Sequence, residues 1–169
     1  MPPIEFNAPW SRSLKIGSAF GVAFLVLLSF VLSLLGAPPK IQILLTAVPL
    51  VILAIAALGI VRGYILTDAE IAIRRVGWTT RFPIRTLQAV EGVPDGMRGS
   101  LRIAGNGGLF AFSGLFWNRR LKFFRAYATD PSRVVVLRYP KKTIVITPHD
   151  PQQFIMRART YLQTKNFRN

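Results

Sequence analysis

The stretch from Leu14 to Val61 reads LKIGSAFGVAFLVLLSFVLSLLGAPPKIQILLTAVPLVILAIAALGIV. It carries no charge from Ile16 to Pro39 and none from Ile41 to Val61. About 20 helical residues cover roughly 30 Å, the thickness of a bilayer's hydrocarbon core. Each half is therefore predicted to be a membrane-crossing helix, with Gly36-Ala37-Pro38-Pro39-Lys40 as the turn. A cleavable signal peptide is the rival reading of the first half. Its apolar region would be only about 7–15 residues long and would follow a basic start. Here the run is longer, the first basic residue is Arg12, and a second span follows directly. The helix is read as retained.

Working outward, the chain divides into a short N-terminal segment (1–13), the hairpin (14–61) and a mixed, basic remainder (62–169). Of 169 residues, 51% are hydrophobic and 17% charged, too apolar for an ordinary soluble protein. Net charge is +15. The remainder holds 19 of the 22 Lys and Arg and six of the seven acids, so it alone carries 19 minus six, or +13. Such a balance calls for an anionic partner, either nucleic acid or anionic lipid. Beside a membrane anchor, lipid is the simpler explanation, because each cation near an anionic leaflet contributes about 1 kcal/mol; nucleic acid is not expected. Arg12 and Lys15 flank the entry of the first helix and Arg62, Arg74 and Arg75 follow the exit of the second, while the turn holds only Lys40. The positive-inside rule then puts both termini in the cytoplasm and the turn outside.

Inside the first helix Gly17 and Gly21 form a GxxxG, and Ser29 and Ser33 repeat the small-residue spacing. Small residues four apart admit a close neighbour. That neighbour is either a second copy, making a homo-oligomer, or the second helix of the same hairpin. Neither span contains an ionisable group, which argues against ion or proton transport.

From Glu70 the period becomes alternating. Strands are predicted near Glu70–Arg75, Trp78–Pro83, Leu87–Gly92, Leu101–Ala104, Lys122–Ala128, Arg133–Arg138 and Thr143–Thr147. Residues 1–13 read as irregular. Val134 and Val136 alternate with Val135 and Leu137, so that strand is apolar on both faces and central. Asp150, Pro151 and Gln153 open a C-terminal helix. Phe154, Ile155, Ala158, Tyr161 and Leu162 share its apolar face, with Arg157, Arg159 and Lys165 elsewhere.

No catalytic constellation emerges. There is no Cys, and one His among scattered acids is not a metal set. Gly105-Asn106-Gly107-Gly108 lacks the Gly-Lys-Ser/Thr that a phosphate loop needs. His149, between Pro148 and Asp150, reads as part of a strand-to-helix turn. The run Leu109, Phe110, Phe112, Leu115, Phe116 and Trp117, ending in Arg119, Arg120 and Lys122, is more informative. Phe110, Phe112, Phe116, Trp117, Arg119, Arg120 and Lys122 suit a membrane interface, with rings at headgroup depth and cations on phosphates. The same rings would equally fill a core or a hairpin tip.

Several segments together resemble a bacterial pleckstrin-homology (PH) domain of the kind found behind membrane helices. They are Tyr64-Ile65-Leu66-Thr67, Phe82-Pro83-Ile84 with Leu87 and Val90, and Gly105-Asn106-Gly107-Gly108-Leu109-Phe110. Ser113-Gly114-Leu115-Phe116, Arg125-Ala126-Tyr127-Ala128-Thr129 and Ile144-Val145-Ile146-Thr147-Pro148-His149-Asp150-Pro151 complete the set. The resemblance covers roughly Gly63 to Leu162. It implies an all-β, seven-stranded barrel capped by the last helix, and a binding module without enzymatic activity or cofactor. It does not extend to phosphoinositide binding, because Arg74, Arg75 and Arg81 only faintly echo that pattern. The expected role is a membrane-anchored binding or assembly module contacting a protein partner, anionic headgroups, or both. The alternative is an accessory subunit docked into a larger complex through its helices.

Overall fold

The computed structural model describes residues 3–166, and side chains as far as 163; Lys165 lies outside the described side chains. Two apolar helices form the hairpin, α1 (Arg12–Ser33) and α2 (Pro39–Leu58). Ser11 caps α1 by accepting the amide of Leu14 at 3.2 Å. Gly36 turns the chain at φ +60. Gln42 closes that turn, accepting the amide of Ala37 at 3.1 Å and donating to the carbonyl of Leu32 at 2.8 Å. Only Leu14 and Ser18 of α1 and Pro49 of α2 are buried. Phe20 is 76% exposed and Ile43 68%. A water-soluble domain buries such helices; these two are long and apolar enough to cross a membrane.

The hairpin grows out of a sheet. Residues 4–7, read above as irregular, are strand β1 (Ile4–Asn7), which pairs antiparallel with β2 (Val61–Leu66), from Ile4↔Leu66 to Asn7↔Gly63. The segments entering and leaving the hairpin are thus hydrogen-bonded to each other. Phe6 drops from β1 into the core, edge-on to Phe154 with 5.1 Å between ring centres. β3 (Glu70–Arg75) and β4 (Thr79–Pro83) complete a four-stranded antiparallel sheet, β1-β2-β3-β4. A second, six-stranded sheet has the order β5-β9-β10-β8-β7-β6. Its strands are β5 (Ala89–Gly92), β6 (Leu101–Gly107), β7 (Phe112–Asn118), β8 (Lys122–Ala128), β9 (Val135–Tyr139) and β10 (Lys142–Ile146). The β10–β8 pair is parallel and the others antiparallel.

The expectation of a closed seven-stranded barrel is corrected. The described residues form ten strands in two sheets that do not close. A short 3₁₀ turn, Ile84–Thr86, separates β4 from β5, and the two strands join different sheets. The main core lies between the sheets and under α3 (Pro151–Asn166), from Phe6, Tyr64 and Phe82 through Leu137 and Ile144 to Phe154 and Ala158. A smaller core, with Phe116, Phe124, Val136 and Val145, covers the other face of the six-stranded sheet. β9 lies between β5 and β10 and faces both cores, as its doubly apolar pattern requires. Asp150 caps α3 as expected, accepting the amide of Gln153 at 2.9 Å.

One core group gives a test. The Tyr139 hydroxyl is buried with no hydrogen-bond partner among the described residues, and burial raises its pKa. Its ring packs 6.0 Å from Phe82. Tyr139→Phe keeps the ring and removes a desolvated hydroxyl. It is expected to leave stability unchanged or raise it by up to about 1 kcal/mol. A thermal midpoint in detergent that falls by several degrees refutes this.

Candidate functional site

The region where the hairpin meets the six-stranded sheet is built by the Gly-aromatic segment. β6 and β7 face each other at Gly105↔Gly114, where φ is +103 and +139. A β-carbon on Gly105 would lie 2.3 Å from the carbonyl oxygen of Ser113, and one on Gly114 2.2 Å from that of Ala104. Only glycine permits this approach. A register shift between Arg102 and Ala104 adds a bulge to the same hairpin.

Beyond the glycine pair the tip, residues 108–111, lies against α1. Asn106 organises it, accepting the amides of Gly108 at 3.2 Å and Leu109 at 2.9 Å while its amide donates to the Leu109 carbonyl. Ser18, 2% exposed, ties the tip to the helix. Its hydroxyl donates to the carbonyl of Gly108 at 3.3 Å and accepts the amide of Phe110 at 2.8 Å. Phe110, at φ +68, turns its ring toward Trp10, 6.2 Å between centres. Contacts descend α1 in order. Ser11 donates its amide to Thr129 at 3.1 Å, Ser18 meets Gly108 and Phe110, and Gly21 faces Leu109. From Ser11 to Gly21 is about 15 Å of helix, so the tip runs alongside α1 in the direction of Ser33.

The small residues of α1 are thereby assigned neighbours. A β-carbon at Gly17 would meet the Gly108 carbonyl oxygen at 3.9 Å, and one at Gly21 the Leu109 side chain at 2.9 Å. Gly17 and Gly21 thus make room for the sheet's hairpin tip, a neighbour that neither the second-copy nor the second-helix reading included. Ser29 does face the other helix, donating to the Thr46 carbonyl at 2.7 Å, while Ser33 bonds back to Phe30 at 2.6 Å.

The aromatic-basic run does not form one surface. Phe110 and Phe112 lie at the α1 end of β7. Phe116 is buried and stacks on Phe124 at 5.9 Å, and Trp117 is half-buried on the opposite face. Arg119 and Arg120 are exposed in the β7–β8 turn, and Lys122 adjoins it at φ +59. Seven strand residues, about 20 Å, separate that turn from the tip. Arg74 and Arg81 are engaged with Glu5 at 3.1 Å and Glu70 at 3.3 Å. Arg75 stacks on Trp78 and Tyr127, 5.0 and 4.5 Å from the ring centres, and desolvation by burial lowers its pKa. This places Trp78 beside the end of α2, where the amide of Gly77 donates to the Leu58 carbonyl at 2.9 Å.

Three cavities bear on function. The largest, about 790 Å³, lies between α3 and the segments Gly92–Pro94 and Ser132–Val134. Its two arginines are used within the fold, Arg133 on Asp130 at 3.3 Å and Arg159 on the Val90 carbonyl at 3.2 Å. The second, about 340 Å³, lies between α1 and the β6–β7 tip. The third, about 460 Å³, shares Gly107 and Phe112 with the second and is bordered by Arg98 and Arg102. Ser18, Arg98 and Arg102 were not singled out from sequence. A lone serine between Gly17 and Gly21 in an apolar helix was the available signal for the first.

These features define a β-rich domain that carries an apolar helical hairpin on one sheet and braces it with the other. Residues 62–161, well over half of the chain, match the bacterial PH domain family, and the chain belongs to that family. No curated protein and no solved structure matches it.

Proposed function

We propose that this chain is a two-span protein of the bacterial inner membrane, with both termini in the cytoplasm. Its PH-like domain is then a non-catalytic binding or assembly module held at the membrane face. The observation that carries this reading is the braced hairpin. Two exposed apolar helices emerge from one sheet through β1 and β2, and Ser18 and Gly21 hold the other sheet's tip against α1. Such bracing fixes the domain's orientation as well as its tether. Confinement to two dimensions raises its effective concentration toward membrane-bound partners. The excess of Lys and Arg after Arg62 supports the cytoplasmic placement. Partners of this reading are a membrane protein, anionic lipid headgroups, or both. The accessory-subunit alternative has less support, because its docking stripe at Gly17 and Gly21 faces Leu109 and Gly108 within the same chain.

Protease treatment of intact and lysed spheroplasts tests the placement. A C-terminal tag is expected to survive in intact spheroplasts and to be lost after lysis; cleavage from outside overturns the reading.

A further inference from the structure

The second and third cavities meet along Gly107 and Phe112 and differ in chemistry. The first of the pair is an apolar groove down α1, lined by Leu14, Gly17, Gly21, Phe24, Leu25 and Leu109. It extends from Ser13 to Leu25, about 18 Å of helix, more than half of a hydrocarbon core of about 30 Å. It exists because Gly17 and Gly21 present no side chain beside the tip that Ser18 ties to the helix. The other cavity continues past Gly107 and Phe112 and is more polar, with Arg98, Ser100 and Arg102 around it and Asp95 at the same rim. Arg102 folds back along β6, its Nη1 3.1 Å from where a Gly107 side chain would start. That places a guanidinium beside the residue that precedes the helix contact at Gly108. Neither Arg98 nor Arg102 forms an ion pair with a described carboxylate, unlike Arg74, Arg81, Arg133 and Arg138. Arg12 and Lys15 add cations at the start of the same helix.

We infer that this composite groove holds one anionic glycerophospholipid, with an acyl chain along Gly17 and Gly21 and its phosphate at Arg102 and Arg98. Charge complementarity selects this occupant. The apolar half faces the depth of acyl chains, and the half with unpaired guanidinium groups lies where headgroup phosphates would be. A planar guanidinium suits a phosphate's two oxygens. The volumes fall in the range of about 300–1,000 Å³ typical of small-ligand clefts. The inference rests on the membrane placement proposed above and adds a specific partner to it. A lipid so held would be a structural part of the brace between hairpin and sheet.

Native mass spectrometry of the full chain, extracted in mild detergent and offered phosphatidylglycerol or phosphatidylcholine, tests this. The unsubstituted chain is expected to retain one phosphatidylglycerol, with about tenfold preference over phosphatidylcholine. Arg102→Gln, at an exposed position, should lose that preference. Gly17→Leu, whose added atoms enter the groove, should lose retention of both lipids. Arg119→Gln with Arg120→Gln, at the far turn, should behave like the unsubstituted chain. Equal retention of the two lipids, or an unaltered preference in Arg102→Gln, overturns the inference. Resistance of the chain to alkaline carbonate extraction separates the two levels. A membrane-integral chain blind to phosphatidylglycerol defeats the lipid site alone, whereas a chain released into the aqueous fraction defeats the membrane placement as well.

Discussion

Gly114→Val is expected to lower the thermal midpoint of the full chain in detergent by about 10 °C or more, a cost of about 3 kcal/mol or above. At φ +139 a β-branched side chain is strained wherever it points. Here there is also no space, because the first added atom would lie 2.2 Å from the Ala104 carbonyl oxygen and 2.8 Å from the α-carbon of Gly105. Both are backbone, and no rotamer change relieves the overlap. β6 must therefore move away from β7, taking the hydrogen bonds of Asn106 and the tip's seat on Ser18 with it. Trp10 packs against Phe110 and should report the release as an early change in fluorescence. Gly99→Ala is the companion variant. Gly99 also has positive φ, at +67, but nothing lies within 4 Å of its added carbon, so only about 1 kcal/mol of strain is expected. Equal midpoints for the two variants would show that the close approach of β6 and β7 is not what the glycines provide.

Much of this architecture was legible because local chemistry and tertiary placement agree. The absence of charge from Ile16 to Pro39 and from Ile41 to Val61 marked two helices, and two helices form. Val134 to Leu137 alternated between two apolar faces and became a strand between two cores. Asp150, Pro151 and Gln153 read as a helix start and act as one. β1 escaped because four residues carry little periodicity, and Phe6 becomes a core residue only through pairing with a strand nearly sixty residues later. β7 escaped because Phe116 and Trp117 are both large and apolar yet point to opposite faces, which hides the alternation. Whether ten strands close into a barrel depends on edge pairing. That depends in turn on a three-residue turn, Ile84–Thr86, with no strong signal of its own.

The candidate site was less legible for a related reason. Gly17 and Gly21 announce that something approaches α1 closely, but helix spacing cannot say whether a helix, a second copy or a loop does so. The partner proved to be Gly108 and Leu109, some ninety residues away. Reading residues 110–122 as one aromatic-basic surface treated sequence neighbours as spatial neighbours. A strand breaks that equivalence, turning alternate side chains to opposite faces and carrying Arg119 and Arg120 about 20 Å from Phe112.

Alkaline titration should loosen the fold from its centre, and the loosening should reach the start of α1. Burial pushes the Tyr64 phenol up to about 12 from its ordinary 10.0, partly offset by its hydrogen bonds to Thr147. Between pH 10 and 12 the unfolded chain has released this proton while the folded chain still holds it, so the unfolded state gains. The contribution is fully present below about pH 10 and falls as pH rises, with about 2 kcal/mol lost by pH 12 and about 3 kcal/mol above it. Tyr139, raised by burial too, steepens the loss. Tyr64 donates to the Tyr127 carbonyl at 2.7 Å and accepts the amide of Thr147 at 3.1 Å. The Thr147 hydroxyl accepts the amide of Thr129 at 2.9 Å, and Thr129 donates to the Pro9 carbonyl at 2.8 Å, just ahead of Ser11. Deprotonation at the centre thus removes the donor to the Tyr127 carbonyl, beside a set of hydrogen bonds that ends where the hairpin begins. Tyr64→Phe strands the Thr147 amide and should cost about 1–3 kcal/mol at neutral pH. Because Phe has no proton to lose, its stability should fall less steeply above pH 10, and the two midpoints should converge toward pH 12. Parallel profiles for the two proteins over that range would show that Tyr64 does not govern the alkaline limb, and that hairpin and core are coupled by some other route.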